Sequence, residues 1–447
     1  EVCPNNEEDE IYVLGNPPYL GSRNQEENHK KDIEHVLGHI KGYKKLDYIA
    51  CWFYLSSKYL FRKNIKSAFV TTNSISQGEQ VLLLWPYILN TVEIFFAHQS
   101  FKWRNSAKSN AGVTVSIVGL GNKNNSKKLI INNTFEKKAL KINPYLVEGE
   151  TIYIDQRNTP LSNMPEMKYG NEPREGGNLL LTPQEKEKIV SYPNSANLIK
   201  KVTGANEYIN NIERYCLWGD ELLKSSIPFV KKRLEQVRAY RQTSKRKATQ
   251  KYSEKPHLFT SITYKKEPSI IVPIVSSENR NYIPMGFLDA NTVILNSAQA
   301  IYNPEPYIFG VINSRMHMTW MKTVAGRLRT DFRYSSSLVY NTFPFPPIST
   351  QRKNEITQAV FRILEEREKH SDKTLAELYD PDKMPEGLRE AHRQNDLIVE
   401  KCYRSRPFES DEERLEYLFK LYEKMIEEEK QKNTFFEKNK KTRKKKR

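Results

Sequence analysis

Four consecutive residues, Asn16, Pro17, Pro18 and Tyr19, have the types and the order to act on an amine. An exocyclic amine conjugated to a ring is a poor nucleophile because its lone pair is delocalised. Two acceptors aimed at the amine hydrogens, here the Asn16 side-chain oxygen and the Pro17 carbonyl, would stabilise the charge that develops as nitrogen becomes tetrahedral. The consecutive prolines fix φ and hold that carbonyl in position. Tyr19 offers a flat face on which an extruded ring can stack.

The preceding residues indicate how these four are positioned. An apolar run at 11–14 predicts a short buried strand, which Gly15 and the prolines end abruptly. Asn16 and Tyr19 would then lie at the carboxyl end of the strand, where open parallel α/β sheets bind their ligands. The alternative is a polar turn without chemistry.

The next elements predict a sheet around that strand. Residues 32–61 have a helical pattern that ends in a dense apolar stretch, and 67–72 predict a second buried strand. A helix at 80–89, a strand at 91–97 and an alternating strand at 111–120 follow. This order predicts the distal half of a Rossmann-like sheet that ends in an antiparallel pair. The sequence contains no G-x-G-x-x-G turn, so we expect the cofactor-binding residues upstream of Glu1.

The composition restricts the partners of the chain. Its 447 residues suggest two to four domains, and its net charge of +17 favours a polyanionic partner such as nucleic acid. No apolar run approaches the roughly 18 residues of a membrane span. The four cysteines are scattered, which favours a reducing compartment such as the cytoplasm. His35 and His39 lack further ligands nearby, so we predict no metal site.

Basic and polar stretches supply candidate DNA contacts. Residues 229–255 hold ten Lys or Arg and two Glu, which predicts a basic helix that contacts the DNA backbone; a solvated charged face is the alternative. Arg can read guanine and a carboxylate can accept from cytosine, and Arg329 and Asp331 would point the same way on an extended segment. The candidate DNA-binding residues are Lys102, Arg104, Lys108, Lys231, Lys232, Arg233, Arg238, Arg241, Arg327, Arg329, Asp331 and Arg333.

The tetrapeptide resembles the catalytic motif of amino-directed DNA methyltransferases that modify adenine at N6. The resemblance implies that S-adenosylmethionine is the methyl donor and that a flipped adenine is the acceptor. It also implies that Phe101 stacks on the flipped base, although a core aromatic beside the sheet is the alternative. The same tetrapeptide occurs in enzymes that methylate glutamine amides of proteins, which would not need a basic recognition domain.

Four further stretches, at 100–108, 325–334, 338–344 and 380–385, are similar to MmeI-type (type IIL) restriction–modification enzymes. Those enzymes join a nuclease, a helical spacer, an adenine methyltransferase and a target-recognition domain in one chain. The resemblance implies double-stranded DNA as the partner, and it implies that Arg329 and Asp331 help to choose the recognised base. The nuclease and cofactor-binding motifs of the family are expected upstream, in the same chain or in a separate one.

The whole chain is therefore predicted to be α/β, with the distal half of a Rossmann-like class I methyltransferase sheet, an α+β target-recognition domain and a helical C-terminal region. The predicted bounds are 1–125 for the catalytic part, 126–180 for a connector, 181–347 for target recognition, 348–430 for the helical region and 431–447 for a basic disordered tail. The predicted function is site-specific adenine-N6 methylation of DNA. The alternative is an inactive DNA-binding remnant of a truncated or split gene, and a complete restriction enzyme would require a nuclease segment.

Overall fold

The computed structural model describes residues 9–103, 113–132, 135–328 and 330–444. Three regions follow one another along these ranges: an N-terminal sheet with helices, a middle region of small sheets and helices, and a C-terminal group of helices. None of the helices in these ranges combines the length and the apolar character needed to cross a membrane.

The N-terminal region is built around one six-stranded sheet. Its elements are β1 (Ile11–Gly15), α1 (Glu27–Leu37), α2 (Ala50–Leu60), β2 (Ile65–Thr72), α3 (Glu79–Leu89), β3 (Val92–Trp103), β4 (Val113–Asn122), β5 (Lys128–Ile131) and β6 (Glu136–Ala139). The strand order is β1-β2-β4-β3-β5-β6. β1 is parallel to β2, whereas β4 is antiparallel to both β2 and β3, so β1, β2 and β3 all end at the same edge of the sheet.

The structure changes two of the predictions for this region. The helical pattern at 32–61 is divided into α1 and α2, because the chain turns at Gly42, whose φ of +90° suits a residue without a side chain. β1 is an edge strand, and its predicted burial is wrong for one face: Tyr12 is 57% exposed and Leu14 is 72% exposed. The stretch predicted as a connector contributes β5 and β6 to the sheet.

The middle region contains three smaller sheets. Its elements are β7 (Met167–Tyr169), β8 (Leu180–Leu181), α4 (Pro183–Val190), β9 (Ile199–Thr203), α5 (Ala205–Ile209), β10 (Tyr215–Leu217), α6 (Pro228–Gln242), α7 (Lys247–Gln250), β11 (Ser269–Pro273), β12 (Val275–Ser276), β13 (Gly286–Leu288), β14 (Val293–Ile294), β15 (Ala298–Tyr302), α8 (Pro306–Ile312), α9 (Arg315–Val324), β16 (Gly326–Leu328) and β17 (Asp331–Arg333). The sheets have the orders β14-β9-β10-β8, β13-β11-β15-β7 and β12-β17-β16. Thr182 caps α4, since its hydroxyl accepts from the Glu185 amide at 3.2 Å.

The C-terminal region is helical, as the sequence indicates. Its elements are α10 (Thr350–Glu368), α11 (Leu375–Leu378), α12 (Glu386–Glu400) and α13 (Asp411–Lys444). α13 continues to Lys444 and so includes part of the stretch from residue 431 onward for which the sequence predicts a disordered tail. Lys, Glu and Gln, which are good helix formers, supply much of its sequence.

One hydrophobic core joins the three regions. Phe419 of α13 packs against Tyr145, which follows the N-terminal sheet, at a ring separation of 5.3 Å. The same Phe419 lies 5.7 Å from Trp320 of α9. These side chains are all buried. The C-terminal helix therefore holds the sheet and the middle region in one arrangement.

Candidate active site and nucleic-acid interface

The predicted reactive residues follow directly after β1, at the edge where the parallel strands end. Gly15, the last residue of β1, lies opposite Phe69 of β2. Asn16 is exposed, Pro17 is buried and Tyr19 is half-buried against the core. Within the described part of the chain, neither the Asn16 side chain nor the Pro17 carbonyl is engaged in a hydrogen bond. The Asn16 side chain is therefore exposed and unengaged, and the Pro17 carbonyl is an unengaged acceptor beside it.

A second set of polar residues fixes the end of this loop. The Asp47 carboxylate accepts from the Leu20 amide at 2.8 Å and from the Ile49 amide at 3.3 Å. Gln25 donates to the Leu20 carbonyl at 2.9 Å. Burial raises the pKa of Asp47, although these amides stabilise its charged form. The bonds to Leu20 thus fix the end of the loop that carries Asn16.

Sequence reasoning did not find Asp47 or Gln25. An Asp just before an apolar helical stretch is a signal for a helix cap, and Asp47 does bind an amide at the start of α2. Its bond to Leu20 joins residues 27 apart in sequence, and no local pattern reveals such a contact.

Phe101 lies on β3 at the same edge of the sheet as Asn16. It is half-buried, pairs with Val115 of β4, and its ring meets the His98 ring edge-on at 4.5 Å. Two strands separate β1 from β3, which places their backbones about 14 Å apart at the usual strand spacing. The side chains of Lys102, Arg104 and Lys108, also predicted for this site, lie outside the described residues.

The loop after β2 joins this edge to the middle region. The Gln77 side chain donates to the Lys322 carbonyl at 3.3 Å and accepts from Arg327 at 3.1 Å. The Gly78 amide donates to the Val324 carbonyl at 3.2 Å. Gly78 has a φ of +62°, and a Cβ there would lie 3.2 Å from the Cα of Gly326, so only glycine fits this approach. Neither Gln77 nor Gly78 was predicted.

Arg327 is an anchor of the β16–β17 hairpin, and the structure contradicts its prediction as a DNA contact. Its guanidinium pairs with Glu278 at 3.0 Å, donates to the Thr330 carbonyl at 2.6 Å and lies over the Phe332 ring. Only 14% of the side chain is exposed. Because its donors are used within the protein, Arg327 positions the hairpin.

The other predicted DNA-binding residues of this hairpin are Arg329, Asp331 and Arg333. Leu328, the last residue of β16, pairs with Asp331, which begins the return strand β17. Asp331 is half-buried and Arg333 is exposed. Arg329 lies outside the described residues.

The basic residues of helix α6 that are predicted to contact DNA differ in their exposure and in their ion pairs. Lys231, Lys232 and Arg238 are exposed and form no ion pair within the described part of the chain. Arg233 is 16% exposed and pairs with Glu185. That pairing contradicts a free phosphate contact for Arg233, whereas the other three remain candidates.

Arg241 is buried completely, and its prediction as a DNA contact is wrong. Its guanidinium donates to five backbone carbonyls at 2.6–3.1 Å, which tie α6 to two neighbouring loops. The acceptors are the carbonyl oxygens of Pro173, Arg174, Tyr252, Lys255 and Leu258. A guanidinium without exposed surface cannot reach a phosphate, so the role of Arg241 is structural.

Replacing Lys231, Lys232 and Arg238 together by alanine is expected to weaken duplex binding and to reduce its salt dependence. Each lost phosphate contact should lower the slope of log K against log salt by about 0.9. Fluorescence anisotropy with one duplex over a series of salt concentrations measures both quantities.

The matched control replaces Lys373, Lys383 and Lys401, which are also exposed and lie in the C-terminal region. This control changes the net charge equally and should leave the slope closer to that of the unmodified chain. Equal slopes for the two triple variants would remove α6 from the DNA-binding surface.

Comparisons with known proteins match nearly the whole chain. The family model described as the DNA-methyltransferase domain of MmeI matches residues 1–132. The models of its target recognition domain and its C-terminal domain match 148–347 and 348–428. DNA methyltransferase A of Bacillus subtilis (strain 168) is 48% identical over 434 residues, which is 96% of this chain and 49% of that protein.

A solved structure is also similar over most of the chain. It is the Type IIL restriction-modification enzyme MmeI in complex with DNA, which is 38% identical with a TM-score of 0.84. The similarity covers 93% of this chain and 57% of that one. The chain thus spans about half the length of the curated relative it matches.

Proposed function

Because the chain belongs to the MmeI family and carries its DNA-methyltransferase, target recognition and C-terminal domains, we propose that it methylates adenine N6 in duplex DNA as part of a restriction–modification system. The observation that carries the proposal is the pair of unengaged acceptors, Asn16 and Pro17, at the carboxyl end of β1. We place the protein in the cytoplasm, where such a system meets cellular DNA.

The residues of this chain perform the part of the reaction that concerns the base. Asn16 and the Pro17 carbonyl accept the two hydrogens of the adenine amine and stabilise the charge that develops on its nitrogen. Tyr19 stacks on the extruded base from the β1 side. Phe101 approaches from β3, and the about 14 Å between the two backbones accommodates a flat ring between two aromatic side chains. Rate enhancement comes mainly from this positioning.

S-adenosylmethionine supplies the methyl group. The carboxyl end of β1 is the part of the donor site that we assign to this chain. We place the residues that bind the donor in a segment that packs against β1. No step of the proposed chemistry requires a metal ion.

The bare face of the sheet indicates where that segment packs. Helices α2 and α3 pack against one face, while Tyr12 and Leu14 project from the other face and are more than half exposed. Parallel strands are normally covered on both faces. We propose that the complementary half of the enzyme, in the same polypeptide or in a separate chain, adds strands beside β1 and covers this face. The six-stranded sheet is then the distal half of a Rossmann-like class I methyltransferase sheet.

Leu14→Asp is expected to weaken association with the complementary half at least about tenfold, because it places a charge where an apolar side chain would be buried. Isothermal titration of this chain with the complementary half of the curated relative measures the affinity. Leu140→Asp is the matched control, since Leu140 is also 72% exposed. If both variants associated equally well, the bare face would not be the contact surface.

Nucleoside mass spectrometry after incubation with duplex DNA, S-adenosylmethionine and the complementary half tests the function. The expected product is N6-methyladenine. N4-methylcytosine as the product would overturn the choice of base, and methylated glutamine in a protein would overturn the choice of substrate class. The target recognition domain at 148–347 speaks against that protein substrate.

A second candidate function is that of an inactive DNA-binding remnant, because the exposed basic residues of α6 would suit DNA binding without methyl transfer. Duplex binding without methylation, even when the complementary half is present, would favour the remnant.

A further inference from the structure

A cavity of about 360 Å³ lies at the junction between the N-terminal sheet and the middle region. Gln77, Gln99 and Ser116 line it from the sheet, and Asn132 lines it from the end of β5. Lys322 and Thr323, at the end of α9, close it from the middle region. The cavity therefore exists only where the two regions meet.

The lining favours an anion. Side-chain amides and hydroxyls predominate, and no carboxylate belongs to the lining that the described residues form. Ser116 also donates to Asn73 at 2.5 Å, and the buried Asn73 amide nitrogen has no hydrogen-bond partner among the described residues. The Gln77 and Gln99 amides each donate one hydrogen to a carbonyl, that of Lys322 at 3.3 Å and that of Leu146 at 2.8 Å. Each amide keeps a second hydrogen for a ligand that only accepts hydrogen bonds.

Lys322 brings a positive charge to the lining of the cavity. Its ammonium is half-buried and forms no ion pair or hydrogen bond within the described part of the chain. The carboxylate of Asp411 acts on it electrostatically, but Asp411 is already bound by Arg315 at 2.7 and 2.8 Å and by Arg414 at 3.1 Å. Burial lowers the pKa of Lys322, and the charges of Arg315 and Arg327 lower it further. Because a partly buried ammonium without a partner among the described residues is costly, this arrangement favours an anionic ligand.

The cavity is close to the proposed catalytic loop. Ser76 lines it and belongs to the short turn at Asn73–Ser76 that follows β2. Ser74 of the same turn lowers the pKa of the Asp47 carboxylate, which accepts from the Leu20 amide at 2.8 Å. A ligand in the cavity would thus lie beside the edge of the sheet that carries Asn16.

We propose that this cavity binds one phosphate of the DNA backbone, with Lys322 as the cation and the amides of Gln77 and Gln99 among the donors. The inference rests on the proposed DNA substrate and extends it to a phosphate that touches both regions at once. Gln77 already joins these regions through the Lys322 carbonyl. A phosphate held there would fix the distance between the target-reading region and the catalytic edge of the sheet.

Lys322→Met tests the proposal, since it removes the charge and keeps most of the side-chain volume. With this chain and a mixed-sequence duplex, we expect about tenfold weaker binding and a salt slope reduced by about 0.9. Lys401→Met, at an exposed and unpaired lysine of the described C-terminal region, is the control for loss of one charge. If Lys322→Met kept the slope of the unmodified chain while that chain bound DNA, the cavity proposal would fail and the DNA role would stand. If the unmodified chain did not bind duplex, both would fall.

A second measurement does not depend on a variant. Saturating duplex should protect Lys322 from reductive methylation, as read by mass spectrometry of the unmodified chain. Undiminished labelling of Lys322 in the DNA complex would overturn the proposal. Inorganic phosphate, used as a separate probe, distinguishes the source of the anion: protection by phosphate but not by duplex would assign the cavity to a small phosphorylated ligand and overturn the DNA contact.

Discussion

Asn16→Ala is expected to lower methyl transfer by about two to three orders of magnitude, the usual cost of removing one preorganised group that stabilises developing charge. The fold should tolerate the change, because the Asn16 side chain is exposed and bonds to no described residue. Duplex binding should also persist. Single-turnover methyl transfer, measured with the complementary half present, gives the rate.

Asn24→Ala is the control for this prediction. Asn24 is also an exposed asparagine and lies eight residues further along the chain, with no predicted part in the chemistry. Its variant should retain the rate of the unmodified chain. An Asn16→Ala enzyme with the same rate as the Asn24 variant would show that Asn16 is not an amine acceptor.

Arg241→Met is expected to lower the free energy of unfolding by about 3–5 kcal/mol, since it leaves buried groups without their charged partner. Five carbonyls lose their donor together, and they come from two loops that α6 would no longer hold. Urea unfolding, followed by the fluorescence of Trp218 in that region, measures the loss.

Arg238→Met separates this structural role from DNA binding. Arg238 is exposed on the same helix, so its replacement should weaken duplex binding and leave the unfolding free energy nearly unchanged. Arg241→Lys is expected to be intermediate, because an ammonium offers three donors where the guanidinium offers five. Equal stability of the Arg238 and Arg241 variants would contradict the structural role of Arg241.

The contrast between Arg238 and Arg241 shows what could be predicted from the sequence of this helix and what could not. The charge of residues 229–255 predicted a basic helix that contacts the DNA backbone, but this prediction treated every cation alike. The buried positions of α6 are Val230, Leu234, Val237 and Arg241, spaced four, three and four residues apart. This is the spacing of the buried face of a helix, so periodicity would have placed Arg241 inside.

Other contacts of the site could not be predicted from the sequence, because they join residues that are far apart in the chain. The turn after β1 was predictable because Gly15 and two prolines act locally on the backbone. The bond between Gln77 and Arg327 joins residues 250 apart, and only the assembled fold brings them together. The burial of β1 was predicted wrongly because an apolar run reports the preference of its side chains for burial, and not whether a layer covers them.

The anchoring of the β16–β17 hairpin has a consequence for evolution. Arg327 is tied to Gln77 and Glu278 near the start of the hairpin, whereas Asp331 begins its return strand. Residues around the turn can therefore be substituted while the contacts of Arg327 with Gln77 and Glu278 stay unchanged. If Arg329 and Asp331 help to choose the recognised base, as the resemblance implies, point changes at these residues would alter the recognised sequence and leave the alignment of the middle region with the sheet unchanged. Insertions between Gly78 and its contacts at Val324 and Gly326 would be selected against, because they would shift that alignment.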